Sequence, residues 1–122
     1  MTDSRTDSRV EAQLPLKPAV LHILLALAES DAHGYGVIQA VRERSEGRIR
    51  LETGPFYRHL RKLLDAALVD ESGARPRDDD ARRGTYYHLT ELGRAVLAAE
   101  AERLAGLVSL TEELGVLADK RP

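Results

Sequence analysis

The hydrophobic period of this chain changes twice along its length, and this order constrains the fold more than any other feature. Up to Ala67, apolar residues recur at the three- and four-residue spacing that is typical of α-helices. Residues 68–72 (LVDES) and 84–90 (GTYYHLT) then indicate two short β-strands. From Glu91 the helical spacing returns and continues to about Leu117. The sequence therefore predicts helices, a β-hairpin and one long final helix.

Three short helices are predicted before the hairpin. Pro15 and Pro18 lead into AVLHILLALAES, which is apolar on nearly every side, so we expect burial from more than one direction, another subunit included. Asp31 is the expected N-cap of the second helix, and the third begins at residue 53. The predicted fold class is mainly α with a small β-hairpin wing: a winged helix-turn-helix plus a C-terminal dimerisation helix.

The 122 residues suffice for one modest hydrophobic core. Residues 1–13 repeat a TDSR unit without periodic hydrophobicity, and we expect a mobile N-terminal arm there. Residues 14–90 would form the winged helix-turn-helix DNA-binding domain, residues 91–118 the C-terminal dimerisation helix, and residues 119–122 a tail.

Charge is segregated along the chain although the net charge is only −2. Seven Arg or Lys stand against three Glu between Arg42 and Lys62, whereas six carboxylates outnumber three cations between Glu91 and Lys120. This pattern suits a surface that faces a polyanion, although chance clustering of surface charge is the alternative. The chain has no cysteine, which fits a reducing cytoplasm, and its longest apolar run is far shorter than the roughly 20 residues of a membrane span.

The third helix, TGPFYRHLRKLL, is the first candidate for binding DNA. Its apolar residues fall on one side, and Arg58, Arg61 and Lys62 fall on the other. The helix start at Thr53, Gly54 and Pro55 leaves backbone amides free for a phosphate. An ordinary amphipathic helix with a charged outer face explains the same pattern equally well.

The hairpin loop is the second candidate. Arg75, Arg77, Arg82 and Arg83 flank the acidic run Asp78–Asp80. A wing that lies along DNA needs such cations for the phosphate backbone, but the aspartates would repel it unless they pair with arginines or point away. A solvated charge run is the alternative.

The last helix carries a continuous apolar stripe that the small domain alone is not large enough to cover. A second copy of the chain is the simplest cover, while folding back over its own domain is the alternative. The predicted dimerisation residues are Leu97, Leu104, Leu107, Val108, Leu110 and Leu114.

Enzyme chemistry has little support in the sequence. The four histidines lack the spacing of metal ligands, and no motif of a hydrolase, metalloprotease or phosphate-binding loop occurs. We interpret His33 and His88 as capping or surface residues. No catalytic residue, cofactor or metal is predicted.

Four segments together resemble the PadR family of bacterial transcriptional regulators. They are LLALAE at 24–29, HGY at 33–35, TGPFYRHL at 53–60 and TYYHLTELG at 85–93, and the resemblance covers residues 16–97. It implies a homodimeric winged-helix protein, usually a repressor, that a small molecule or another signal releases from a pseudo-palindromic operator. It also implies that the third helix enters the major groove, that Tyr57 meets DNA and that the last helix pairs the subunits.

Two residues depart from the family pattern, and the effector is not indicated. Pro55 stands where the family commonly has threonine, and Ala67 where a glycine is usual. Residues 91–122 contain no aromatic residue, so we expect either a dry aliphatic dimer interface or an effector between the winged domain and the first helix. A winged-helix module that docks a protein, not DNA, is the alternative function.

Overall fold

The protein is mainly helical with a small antiparallel sheet, as the sequence predicts. The structure, a computed structural model, describes residues 4–72 and 84–118. The elements are α1 (Ser4–Ala12), α2 (Pro18–Glu29), β1 (Ala32–His33), α3 (Gly34–Arg44), α4 (Thr53–Asp65), β2 (Val69–Ser72), β3 (Tyr86–Leu89) and α5 (Glu91–Glu113). The helix, helix, strand, strand, helix order that begins at α3 is the predicted one.

The sheet has three strands in the order β1-β3-β2, all antiparallel. β2 and β3 form the predicted hairpin, with Val69 opposite Leu89 and Ser72 opposite Tyr86. β1 pairs with the other edge of β3 and was not predicted, because two residues are too few to show an alternating pattern.

The core lies where α2, α4 and the start of α5 converge on the sheet. Ile23 and Leu24 of α2, Phe56 of α4 and Val96 of α5 are all fully or almost fully buried. The apolar face of α4 thus fixes that helix to the rest of the chain and leaves its opposite face outward.

A helix lies within residues 1–13, where the sequence predicts a mobile arm. α1 spans Ser4–Ala12 and packs against α5, and Val10 joins the hydrophobic core. The sequence gives little warning, since one valine among eight polar or small residues produces no apolar period.

Asp31 does not cap α3, contrary to the prediction. His33 is the N-cap, and its Nδ1 accepts a hydrogen bond from the Gly36 amide at 3.0 Å. His33 also packs edge-to-face on Tyr86 of β3, with ring centroids 5.4 Å apart. The Asp31 carboxylate instead pairs with His88 at 3.0 Å. Both histidines therefore have the capping and surface roles that we expected of them.

The link from α4 to β2 also contacts the start of α5. At the end of α4, the Leu68 amide donates to the Leu63 carbonyl and closes the helix. At the start of α5, the Thr90 hydroxyl is the cap and accepts a hydrogen bond from the Gly93 amide at 2.9 Å. The Thr90 hydroxyl donates to the Ala67 carbonyl at 2.7 Å. A Cβ on Gly93 would collide with the Leu68 carbonyl oxygen. These contacts fix the start of α5 directly on the C-terminal end of α4.

Candidate nucleic-acid interface

Helix α4 has two sharply different faces. Phe56, Leu60 and Leu63 are buried, while Arg58 and Lys62 are exposed on the opposite side. Arg61 is exposed on that side as well. The three cations that the sequence predicts to face outward therefore do so, on a helix held rigidly by its leucines.

Tyr57 is packed against the domain along one side, including its hydroxyl end, and is open to solvent on the other. Its ring packs edge-to-face on Phe56 with centroids 4.9 Å apart, and a Cβ on Gly34 would collide with its hydroxyl. The side chain nevertheless remains 46% exposed. The glycine of the HGY segment thus leaves the space that orients Tyr57 beside the exposed cations.

The N-terminal end of α4 is open and adjoins a cation. Glu52 is the N-cap without a side-chain cap, and the first helical bond runs from Phe56 to it, so the Thr53 and Gly54 amides lie before the first intrahelical bond. Pro55 has no N–H, so it cannot provide a third free amide at this helix start, contrary to the prediction. A Cβ on Gly54 would lie 3.7 Å from the Arg58 guanidinium, which folds back over this end.

The field along α4 is positive. Partial burial lowers the pKa of His59 below its ordinary value, and the charges of Lys17, Lys62 and Arg58 lower it further. Lys17, the residue before α2, was not singled out in the sequence, because an isolated lysine forty residues away shows no link to α4. The fold brings it to the same surface.

The wing arginines lie outside the described residues. Arg75, Arg77, Arg82 and Arg83, together with Asp78–Asp80, fall within residues 73–83, between the two strands of the hairpin. Their assignment to DNA binding stays a prediction from the sequence.

The last helix is covered along its first half and bare along its second. α1 and α2 pack against the first half. Leu97, a predicted dimerisation residue, is buried in the core of its own chain and is therefore not exposed to a partner. Leu104 is half-buried. Leu107, Val108, Leu110 and Leu114 are 46–68% exposed.

A buried carboxylate fastens this helix to the segment before α2. Glu100 is 1% exposed, receives 2.7 Å and 2.9 Å hydrogen bonds from the Arg103 guanidinium, and accepts from the Leu16 amide at 3.2 Å. The bonds from Arg103 hold the pKa of Glu100 below its ordinary value. The sequence did not reveal this contact, since a single glutamate among other charged helix residues carries no pattern.

Residues 4–72 and 84–118 contain neither a candidate metal site nor a candidate membrane span. No group of three or more His, Asp or Glu in those ranges is arranged to hold a metal ion. No helix there is long and apolar enough to cross a membrane.

Comparisons with known proteins agree on the kind of protein that this chain resembles. Residues 23–99 match the model of the transcriptional regulator PadR-like family. A comparison with curated protein sequences gave no match.

Solved structures share the fold at low sequence identity. A PadR family transcription regulator from Clostridium difficile is 24% identical, with a TM-score of 0.65 over 78% of this chain and 95% of that one. A PadR-like transcription factor from Bacteroides fragilis is 19% identical, with a TM-score of 0.62 over 93% and 99%. A transcriptional regulator from Clostridium thermocellum is 18% identical, with a TM-score of 0.60 over 88% and 93%.

Proposed function

This chain belongs to the PadR-like family of transcriptional regulators, and we propose that it binds operator DNA through the outer face of α4. In this proposal it is a cytoplasmic homodimer that acts as an effector-responsive repressor. The residues assigned to DNA within the described part of the chain are Thr53, Gly54, Pro55, Tyr57, Arg58, Arg61 and Lys62. The arginines at 75, 77, 82 and 83 would follow the phosphate backbone from the wing.

One observation carries the proposal: a rigidly held helix presents exposed cations and a half-exposed tyrosine on one face. Arg58, Arg61 and Lys62 meet the need for phosphate and base contacts, and Tyr57 supplies an aromatic body with a hydroxyl. The buried leucines opposite them fix the helix on the domain. A recognition helix in a major groove requires this division of faces.

The bare half of α5 supports the homodimer. A helix with Leu107, Leu110 and Leu114 largely exposed is poorly suited to remain alone in water, and a second copy offers a matching stripe. A two-fold dimer would present two α4 helices to one duplex, so we expect a pseudo-palindromic operator with half-sites about 34–36 Å apart or a multiple of it.

Single substitutions on the outer face of α4 test the proposal. Arg58→Ala and Lys62→Ala should each weaken binding to operator DNA, because each removes one contact to phosphate or a base edge at an exposed position that supports no core packing. An electrophoretic shift titration of each variant measures the change, and sedimentation checks that its oligomeric state is unchanged.

Glu43→Ala is a suitable control, since it removes an exposed charge from α3 and not from α4. It should not weaken binding. If Arg58→Ala and Lys62→Ala both bind operator DNA as the wild type does, the face assigned to DNA is wrong.

A further inference from the structure

A small cavity lies between α4 and the segment that leads into α2. Its volume is about 180 Å³. Apolar wall is provided by Pro15, Leu16, Val20 and Leu63, and the polar part of the lining by Gln13, Lys17, His59 and Lys62. The cavity thus lies on the flank of α4, next to the face assigned to DNA.

The charge of this cavity is of one sign. Two ammonium groups and one imidazole line it, and no Asp or Glu is among its described lining residues. Partial burial lowers the pKa of His59 below its ordinary value, and the charges of the same two lysines lower it in the same direction. An anion would relieve this mutual repulsion, whereas a cation would increase it.

The walls set the size and the shape of the ligand. The cavity is smaller than the roughly 300 Å³ at which pockets for drug-sized ligands begin, so only a small molecule fits. Its described lining contains no Phe, Tyr or Trp, and beside the His59 imidazole the body of the ligand would meet mainly aliphatic side chains.

One wall is held in place from the far side. The Leu16 amide donates to Glu100 of α5, and Arg103 holds that carboxylate with two further hydrogen bonds. The α4 wall is equally firm, because Leu63 is buried in the core. The aliphatic walls are therefore in place before a ligand arrives, which reduces the entropy lost on binding.

We propose that this cavity binds a short-chain aliphatic carboxylate, with the carboxylate between Lys17 and Lys62 and the hydrocarbon chain against Leu16, Val20 and Leu63. Lys62 also belongs to the face assigned to DNA, so the bound anion would withdraw one of its cations and weaken operator binding. This second effect rests on the proposed function, whereas binding of the carboxylate does not.

Hexanoate and hexanamide, added to the full chain without DNA, test the site. Proton NMR of the His59 ring and titration calorimetry should show saturable binding of hexanoate that raises the pKa of His59. Hexanamide has the same chain without the charge. Its affinity should be lower than that of hexanoate by a factor of about ten or more, as expected for loss of a charged hydrogen-bond partner. Inorganic phosphate, which has no apolar body, should not saturate the site.

Two matched variants locate the binding. Lys17→Gln should weaken hexanoate binding about tenfold, since Lys17 is exposed and its loss removes a charged partner without unfolding the chain. Arg61→Gln removes a cation from the same surface but outside the cavity, so it should leave hexanoate binding unchanged. Equal binding of hexanamide, saturable phosphate binding, or unchanged affinity in Lys17→Gln would overturn the proposal.

The effect on DNA is measured separately by operator titration with and without hexanoate. Weaker operator binding in hexanoate supports the coupling through Lys62. If hexanoate binds but operator affinity is unchanged, the proposed effect on DNA binding is wrong, whereas the proposed carboxylate site is still supported. If no DNA is bound under any condition, the proposed function fails while the NMR result on the carboxylate stands.

Discussion

At the scale of single residues, Ala67 explains why a glycine is usual at its position in the family. It lies just beyond α4 with φ of 63°, in the left-handed region that a Cβ disfavours by about 1–2 kcal/mol. The turn is needed because the Ala67 and Leu68 amides close α4 and the Ala67 carbonyl receives the Thr90 hydroxyl. The chain therefore accepts backbone strain at the point where α4, β2 and α5 meet.

Ala67→Gly should raise the free energy of unfolding by roughly 0.5–1 kcal/mol, since relief of strain exceeds the added entropy of the unfolded chain. The methyl group is exposed, so little packing is lost. Chemical denaturation measures the change. Ala66→Gly is the matched control: Ala66 has a φ of −85°, where glycine brings no relief, so stability should fall. A loss of stability in Ala67→Gly would contradict the assigned backbone strain.

The His88–Asp31 pair gives the protein a pH dependence of predictable sign. The hydrogen bond with Asp31 raises the pKa of His88 above its ordinary value, and the same bond lowers the pKa of Asp31. A raised histidine pKa means that its stabilising contribution is complete below about pH 6.5 and is lost as pH rises through the folded pKa. The Asp31 contribution is lost only in acid, as pH falls through its lowered pKa.

His88→Gln should therefore be less stable than the wild type at pH 6, and the difference in the free energy of unfolding between the two proteins should become smaller as pH rises to 8. Because both side chains are at least one-third exposed, the change should be only a few tenths of a kcal/mol. Denaturation at several pH values measures it, and comparing the two proteins cancels the opposite contribution of His59, whose pKa is lowered. A difference that is constant, or that widens with pH, would show that the pair does not form as described.

At the scale of elements, α5 has two halves with different environments. Its first half is fastened to its own chain by Thr90, Gly93 and Glu100, and its second half exposes leucines. With about 100° between successive residues, Leu107, Leu110 and Leu114 fall on one side of the helix and Ser109 falls opposite. The proposed dimer contact is therefore limited to this second half.

Leu110→Glu should shift the protein toward monomer, because it places a charge in the middle of the apolar stripe that we assign to the dimer. Leu110 is 46% exposed in the single chain, so the monomer itself should remain folded. Sedimentation measures the mass, and circular dichroism checks the fold. Ser109→Glu introduces the same charge on the opposite side and should stay dimeric. If both variants remain dimers, the stripe is not the contact.

Sequence patterns predicted the long, periodic elements and missed those that depend on distant contacts. The faces of α4 and the return to a helix at Glu91 were both predicted, because each depends on neighbours in the chain. α1 was missed because Val10 alone among residues 8–12 of that helix joins the core. The burial of Leu97 could not be separated from the dimer stripe, since one helix carries both. Lys17 and Glu100 join their sites only through the tertiary fold.

At the scale of the whole molecule, the surfaces that we propose for DNA, for a second copy and for a ligand are connected by a few shared contacts. The Thr90–Ala67 hydrogen bond connects the C-terminal end of α4 to the start of α5. Leu16, which lines the cavity beside α4, is held by its hydrogen bond to Glu100 of α5. A change at α5 or in the cavity would thus act on the orientation or the charge of α4. This arrangement suits a regulator whose DNA affinity responds to a signal.

Binding of duplex DNA as a function of salt tests the central claim most directly. If exposed cations of α4 meet phosphates, the logarithm of the association constant should fall linearly with the logarithm of salt concentration, by about 0.9 for each phosphate neutralised. Fluorescence anisotropy should show this steep fall for the wild type and a clearly shallower one for Arg58→Ala/Lys62→Ala. Absence of salt-dependent binding in the wild type would contradict the claim and favour a module that docks a protein.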